Sequence, residues 1–82
     1  MPTSLSTLFG HIIRQRREEI GLSQEKLGER TNLTRNYIGM VERGETNLTL
    51  LVLQSLAEAL DTTMVSLISE LESQTGTTKK KN

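Results

Sequence analysis

Apolar residues along the chain fall into runs at helical spacing, divided by short polar breaks. The first run puts Leu5, Leu8, Phe9, Ile12, Ile13 and Ile20 on one stripe, which predicts a helix over about Leu5–Ile20 with Gly21 as its stop. Met1–Ser4 form a short polar lead before it. A second, short helix over about Gln24–Arg30 is signalled by Ser23, whose hydroxyl can accept from the open amides of a first turn. Leu27 is its one large apolar residue. Thr34 caps a third helix over about Arg35–Arg43, in which Ile38 and Val41 lie three apart and face Leu27 and Leu33 inward. Beyond a loop at Glu45–Leu48, Thr49 caps a fourth helix, about Leu50–Leu60, whose core stripe is Leu50, Leu53, Leu56, Ala57 and Leu60. Asp61 and Thr62 break the chain, and Thr63 caps a shorter fifth helix carrying Val65, Leu67, Ile68 and Leu71. The pattern predicts an all-α fold, a five-helix bundle.

The joint between the second and third helices is the informative stretch. Gly28 sits inside the second helix, where it costs roughly 1 kcal/mol relative to Ala. The compensating gain is space, because two helices crossing at roughly 90–120° need a residue without a side chain at their close approach. Asn32 lies in the turn formed with Thr31 and Leu33, and Asn tolerates the left-handed conformation that ends a helix. Two short helices at such a turn make a helix-turn-helix. Arg35, Asn36, Tyr37 and Met40 stand on the outer face of the second of them. Arg and Asn carry the forked donors and acceptors that match guanine and adenine edges in the major groove, and the N-terminal end of the reading helix is where such motifs make those contacts. The alternative is an ordinary helical hairpin with a solvated polar face.

Some apolar residues lie off the core stripes. Leu51 and Val52 make the fourth helix apolar around more of its circumference than a monomer's surface helix requires, and Met64 and Ile68 fall on the outer side of the fifth. A symmetric dimer joined through these helices would cover them, and would set two reading helices about 34 Å apart on a near-palindromic site. In the alternative helix phase they complete the monomer's own core. Ser73–Asn82, Thr- and Lys-rich with no apolar member, reads as a disordered polar tail, so that residues 1–72 form the domain. The terminal lysines either touch DNA backbone or are simply solvated.

Composition narrows the function. The chain has 82 residues and a formal net charge of zero, which argues against a protein that holds polyanions by bulk charge and makes local arrangement decisive. Arg14, Arg16 and Arg17 cluster before the motif, Arg35 and Arg43 flank its second helix, and Glu58, Asp61, Glu70 and Glu72 lie away from it. Without cysteine there is neither a disulfide framework nor a thiolate metal site. His11 has no partner at metal-binding spacing and reads as a surface side chain, so no metal and no cofactor is expected. Glu18, Glu19, Glu25 and Glu29 are spaced as solvated helix faces, no nucleophile, base and acid can be assembled, and the chain reads as no enzyme. No stretch of about 18 apolar residues and no signal-peptide architecture is present, so a cytoplasmic location without membrane partners is expected.

The segment FGHIIRQRREEIGLSQEKLGERTNLTRNYIGMVERGETNLTLLVLQSLAEAL resembles the Xre, or Cro/phage-repressor, family of helix-turn-helix domains over roughly residues 5 to 70. The marks are Gly10, Ile13-Arg14, Arg17, the Gly21-Leu22-Ser23-Gln24 run, Leu27, Ile38, Glu42-Arg43-Gly44, Asn47, Leu50 and Ala59-Leu60. Asn32 replaces the family's usual turn Gly, and Gly28 its usual Ala; both meet the same steric demand. The small size and the segments RNYI and ERGETNLTL look like the controller proteins of restriction-modification systems. That resemblance implies a small homodimer that binds operator DNA and times restriction-gene expression. It also implies that Gln24 bonds a phosphate, that Thr34 and Asn47 bond backbone, and that Arg35, Asn36 and Tyr37 reach base edges or adjacent phosphates, with Met40 and Arg43 on the same surface. Tyr37 is equally well read as a packing residue at the rim. Arg17 and Glu42 are implied to form an internal salt bridge tying the motif to the first helix. The reading from another class is an antitoxin-like interaction module whose partner is a toxin. Activation or repression, and any contact with RNA polymerase, stay open.

Overall fold

A computed structural model describes residues 4–75, which form five helices: α1 (Leu5–Glu19), α2 (Gln24–Thr31), α3 (Arg35–Glu42), α4 (Leu50–Ala59) and α5 (Met64–Thr75). Among the described residues there is no strand, and no single helix is long and apolar enough to cross a membrane.

Each helix starts on a hydroxyl. Ser4, Ser23, Thr34, Thr49 and Thr63 accept from the backbone amides of Thr7, Lys26, Tyr37, Val52 and Ser66, all at 3.0–3.1 Å. Such caps satisfy an otherwise open amide, and each contributes on the order of 1 kcal/mol. The ends are equally regular: Gly21, Asn32, Gly44 and Asp61 all adopt positive φ. The residue after each then donates back into the helix, as Leu33 does to the Gly28 carbonyl at 2.9 Å and Thr62 to that of Ala57 at 2.9 Å. Chain reversal is thereby fixed locally at every joint from α1 to α5.

α1 packs against α3 and α5, and α2 against α3 and α4. Ile12, Ile13, Leu27, Ile38, Leu56 and Leu67 are fully enclosed between these layers. Gly10 marks the α1–α3 crossing: a Cβ there would run into the carbonyl oxygens of Val41 and Glu42.

Several expectations need correction. Leu5, Leu50 and Val65 are 60%, 77% and 74% exposed, and Ile20 stands outside the core as well. Leu5 and Leu50 lie in the first turns of α1 and α4, past the end of the layers that would cover them. They line one open groove of about 320 Å³ with Phe9, Leu53, Ile68 and Leu71. Val52 is half-buried against the core, because it stands four residues before Leu56 and shares its face. It is core periphery rather than free apolar surface. Helix α5 continues through Ser73, Gln74 and Thr75, which the tail reading excluded from the fold; the remainder of that tail, and Met1–Thr3 of the polar lead, lie outside the described residues.

Candidate nucleic-acid interface

The α2–α3 joint is built around two residues. Asn32 takes φ 64° and turns the chain, and Gly28 lets the turn close onto α2, since a Cβ at this position would lie 2.7 Å from the Leu33 carbonyl oxygen. The close neighbour of Gly28 is therefore the turn itself rather than the body of α3. The Thr31 hydroxyl, buried here, donates to the Leu27 carbonyl at 2.8 Å and so adds nothing unsatisfied to the joint. Thr34 then starts α3, with Ile38 and Val41 in the core and Arg35 and Asn36 on the side facing away; the outer face expected of Tyr37 and Met40 is only partly theirs. Arg35 and Asn36 are exposed, whereas Tyr37 and Met40 are half-buried and the Tyr37 ring packs on the core edge.

One buried network holds α3 in place. Glu42, whose side chain is 3% exposed, accepts from Arg17 Nε at 2.6 Å and Nη2 at 3.1 Å, and from Gln24 Nε2 at 3.0 Å. Arg17 Nη1 donates in addition to the Leu22 carbonyl at 2.8 Å. A single carboxylate therefore joins α1, the first helix of the motif and the second. The hydrogen bond to Glu42, against the cost of burial, raises the Arg17 pKa further above its usual range. Gln24 keeps a second N–H on the amide that Glu42 has oriented.

The basic cluster before the motif is not a free positive surface. Arg14 pairs with Glu18 at 3.1 Å on the same helix. Arg16 binds Glu70 at 3.0 Å, Thr62 at 3.0 Å and Ser66 at 3.1 Å, which fastens α1 to α5. Arg30 donates to the Ala59 carbonyl at 3.0 Å and ties α2 to the end of α4. Arg43 is paired too, its Nε and Nη2 reaching both oxygens of Glu45 at 3.0 and 3.1 Å. That hydrogen bond holds the Glu45 carboxyl below its ordinary range and raises the Arg43 pKa. Neither Glu45 nor the Arg16 partners were legible beforehand; an acid two residues beyond Arg43 was the only signal for the first.

Among the described residues, Arg35 is the one lysine or arginine side chain with neither an ion pair nor a hydrogen bond. It stands at the first position of α3, where the helix dipole disfavours a cation by about 0.3–1 kcal/mol. Asn36 beside it is exposed and likewise makes no hydrogen bond through its side chain. Asn47 is exposed in the α3–α4 loop. Among the described residues no group of His, Cys, Asp and Glu side chains could hold a metal ion.

A capped, glycine-relieved helix pair with its polar end turned outward defines a helix-turn-helix domain, and the chain belongs to the helix-turn-helix family of the Xre, or Cro/phage-repressor, type, whose family model matches residues 13–67. Within that family it is similar to control protein C.SmaI of Serratia marcescens, 47% identical over 65 residues that cover 79% of this chain and 77% of that one. It is also similar to control protein C.BamHI of Bacillus amyloliquefaciens, 38% identical over 61 residues, 73% and 75% of the two chains. The solved restriction-modification controller protein C.AhdI from Aeromonas hydrophila matches with a TM-score of 0.73 at 43% identity, over 74% of this chain and 92% of that chain. The controller protein C.Esp1396I, solved as a tetramer in complex with its natural 35 base-pair operator, matches with a TM-score of 0.79 at 30% identity, over 88% and 95%.

Proposed function

We propose that this chain is a controller-type transcriptional regulator, a homodimer that binds a near-palindromic operator and sets the expression of neighbouring restriction-modification genes. The single observation that carries the DNA reading is Arg35, a free and exposed guanidinium at the N-terminal end of the second motif helix, where the fold gives it no role. Arg35 and Asn36 read base edges in the major groove. Gln24, Thr34, Arg43 and Asn47 bind backbone, and Tyr37 and Met40 line the rim. The likeness to controller proteins supports the genetic role, and the operator complex of C.Esp1396I supports the binding mode.

Dimerisation is carried by the apolar side of α4 and α5. Leu51 on α4 is 75% exposed, and Met64 and Ile68 on α5 are exposed as well. The domain that ends with α5 carries both tasks. A footprint on the DNA upstream of its own gene tests the function: the expected result is protection of two half-sites one helical turn apart, and no protection on that DNA would refute it. Sedimentation of the parent and of Leu51→Glu tests the interface, with a dimer expected for the parent and a monomer for the variant. A monomeric parent at micromolar concentration, or a variant that stays dimeric, would end it.

A further inference from the structure

Arg43 does not extend into solvent from the end of α3. Its guanidinium folds back along the helix over Gly39, where a Cβ would lie 3.0 Å from Nη1 and 3.8 Å from Cζ. Arg35, Gly39 and Arg43 are four residues apart in turn, so Arg43 lies on the face that begins with the free Arg35. Glu45 holds it there through two parallel hydrogen bonds, although the two side chains are 56% and 51% exposed. An exposed pair of this kind contributes little to stability. What it does is occupy the planar fork through which a guanidinium binds either a carboxylate or a phosphate.

We infer that Glu45 is an internal stand-in for a DNA phosphate, filling a backbone-binding site made by Arg43 above Gly39. A duplex must displace the Glu45 carboxylate before a phosphodiester oxygen takes those two N–H donors, so the Arg43 contact forms against a competitor tethered two residues away. A phosphate carries no sequence information, so Glu45 lowers affinity for every duplex alike. This rests on the DNA-binding reading above.

The test is gel-shift titration across salt, on the DNA upstream of the chain's own gene and on a random duplex of equal length, with the parent, Glu45→Gln, Arg43→Gln and the double variant. One freed phosphate contact steepens the slope of log K against log salt by about 0.9, which corresponds to about a 3.5-fold change between 50 and 200 mM. Glu45→Gln is therefore expected to tighten binding to both duplexes, with a gain about 3.5-fold larger at 50 mM than at 200 mM. In the Arg43→Gln background the same substitution should leave the slope unchanged. Equal affinity and slope for parent and Glu45→Gln, or the same gain with and without Arg43, would overturn the stand-in while leaving DNA binding intact. A parent that shifts neither duplex would overturn both.

Discussion

Glu42→Gln removes the charge that joins α1 to both motif helices while keeping the side chain's shape. Glu42 is buried and accepts three hydrogen bonds, two of them from the Arg17 guanidinium. Stranding one member of a buried pair costs about 3–5 kcal/mol. The lower end applies here, since Arg17 keeps its bond to the Leu22 carbonyl at 2.8 Å and lies 3.9 Å from the half-exposed Glu18 carboxylate. A loss of about 3 kcal/mol compares with a total stability of about 4–12 kcal/mol for a domain of this length. At about 4–8 °C per kcal/mol, the melting temperature should fall by about 12–24 °C. Thermal unfolding followed by far-ultraviolet circular dichroism reads this directly, at one protein concentration because a dimer's midpoint depends on it. The joint replacement Arg17→Met with Glu42→Leu should recover most of the loss, because the penalty lies in the stranded charge rather than in the missing attraction. A fall of less than about 4 °C for Glu42→Gln would refute the reasoning and put the pair at the value of a surface salt bridge, about 0–1 kcal/mol.

Arg35→Ala should weaken operator binding by about 1–3 kcal/mol and relax preference at one base position, read by gel shift on single-base operator variants; an equal loss on random DNA would make Arg35 a phosphate contact only. Gly28→Ala should lower the melting temperature, since the gain of about 1 kcal/mol in helix propensity is outweighed by a Cβ 2.7 Å from the Leu33 carbonyl oxygen, and a rise would show that the turn relaxes without cost. The Glu45 carboxyl should titrate below the ordinary glutamate range by NMR and return to it in Arg43→Ala. Because Arg43 favours its charged form, the pair's contribution is full above that ordinary range and is lost as pH falls through the lowered value; an unchanged midpoint in the variant would show that the pair does not persist in solution.

Helix boundaries were legible because their causes are local. Ser23, Thr34, Thr49 and Thr63 act through amides three residues away, and Asn32 through its own φ, so spacing and residue type suffice. Which apolar residues are covered depends on where a neighbouring helix ends. Leu50 has the period of Leu53 and Leu56 yet lies outside, because it occupies the first turn of α4 beyond its partners. The arginines show the same limit more sharply. Arg14, Arg16 and Arg17 look alike as a cluster, and nothing in spacing says that Arg16 finds Glu70 at a separation of 54 residues; the Arg17–Glu42 pair, 25 apart, was expected only through the family resemblance, and the structure has it. Of the candidate interface, the exposed Arg35 and Asn36 were legible from helix phase alone, whereas Glu45 on Arg43 and Glu42 on Gln24 needed the loops in place.

These pairings give the neutral net charge a physical meaning. Arg16, Arg17 and Arg30 connect α1 to α5, α1 to α3 and α2 to α4, so half of the described guanidinium charge holds the motif rigid rather than attracting polyanions. Little is left to bind any duplex indiscriminately: Arg35 is free, and Arg43 is engaged by Glu45. Non-specific affinity scales with the number of phosphates neutralised, and among the described residues few cations are free to do so. Weak single-site binding suits a regulator only if two sites act together, because pairing adds the two half-site free energies on a near-palindrome while a random duplex gains nothing comparable. The exposed Leu51 on α4, with Met64 and Ile68 also uncovered on α5, is the apolar surface through which such pairing would be made, so the sparse free charge and the uncovered leucine are two parts of one design.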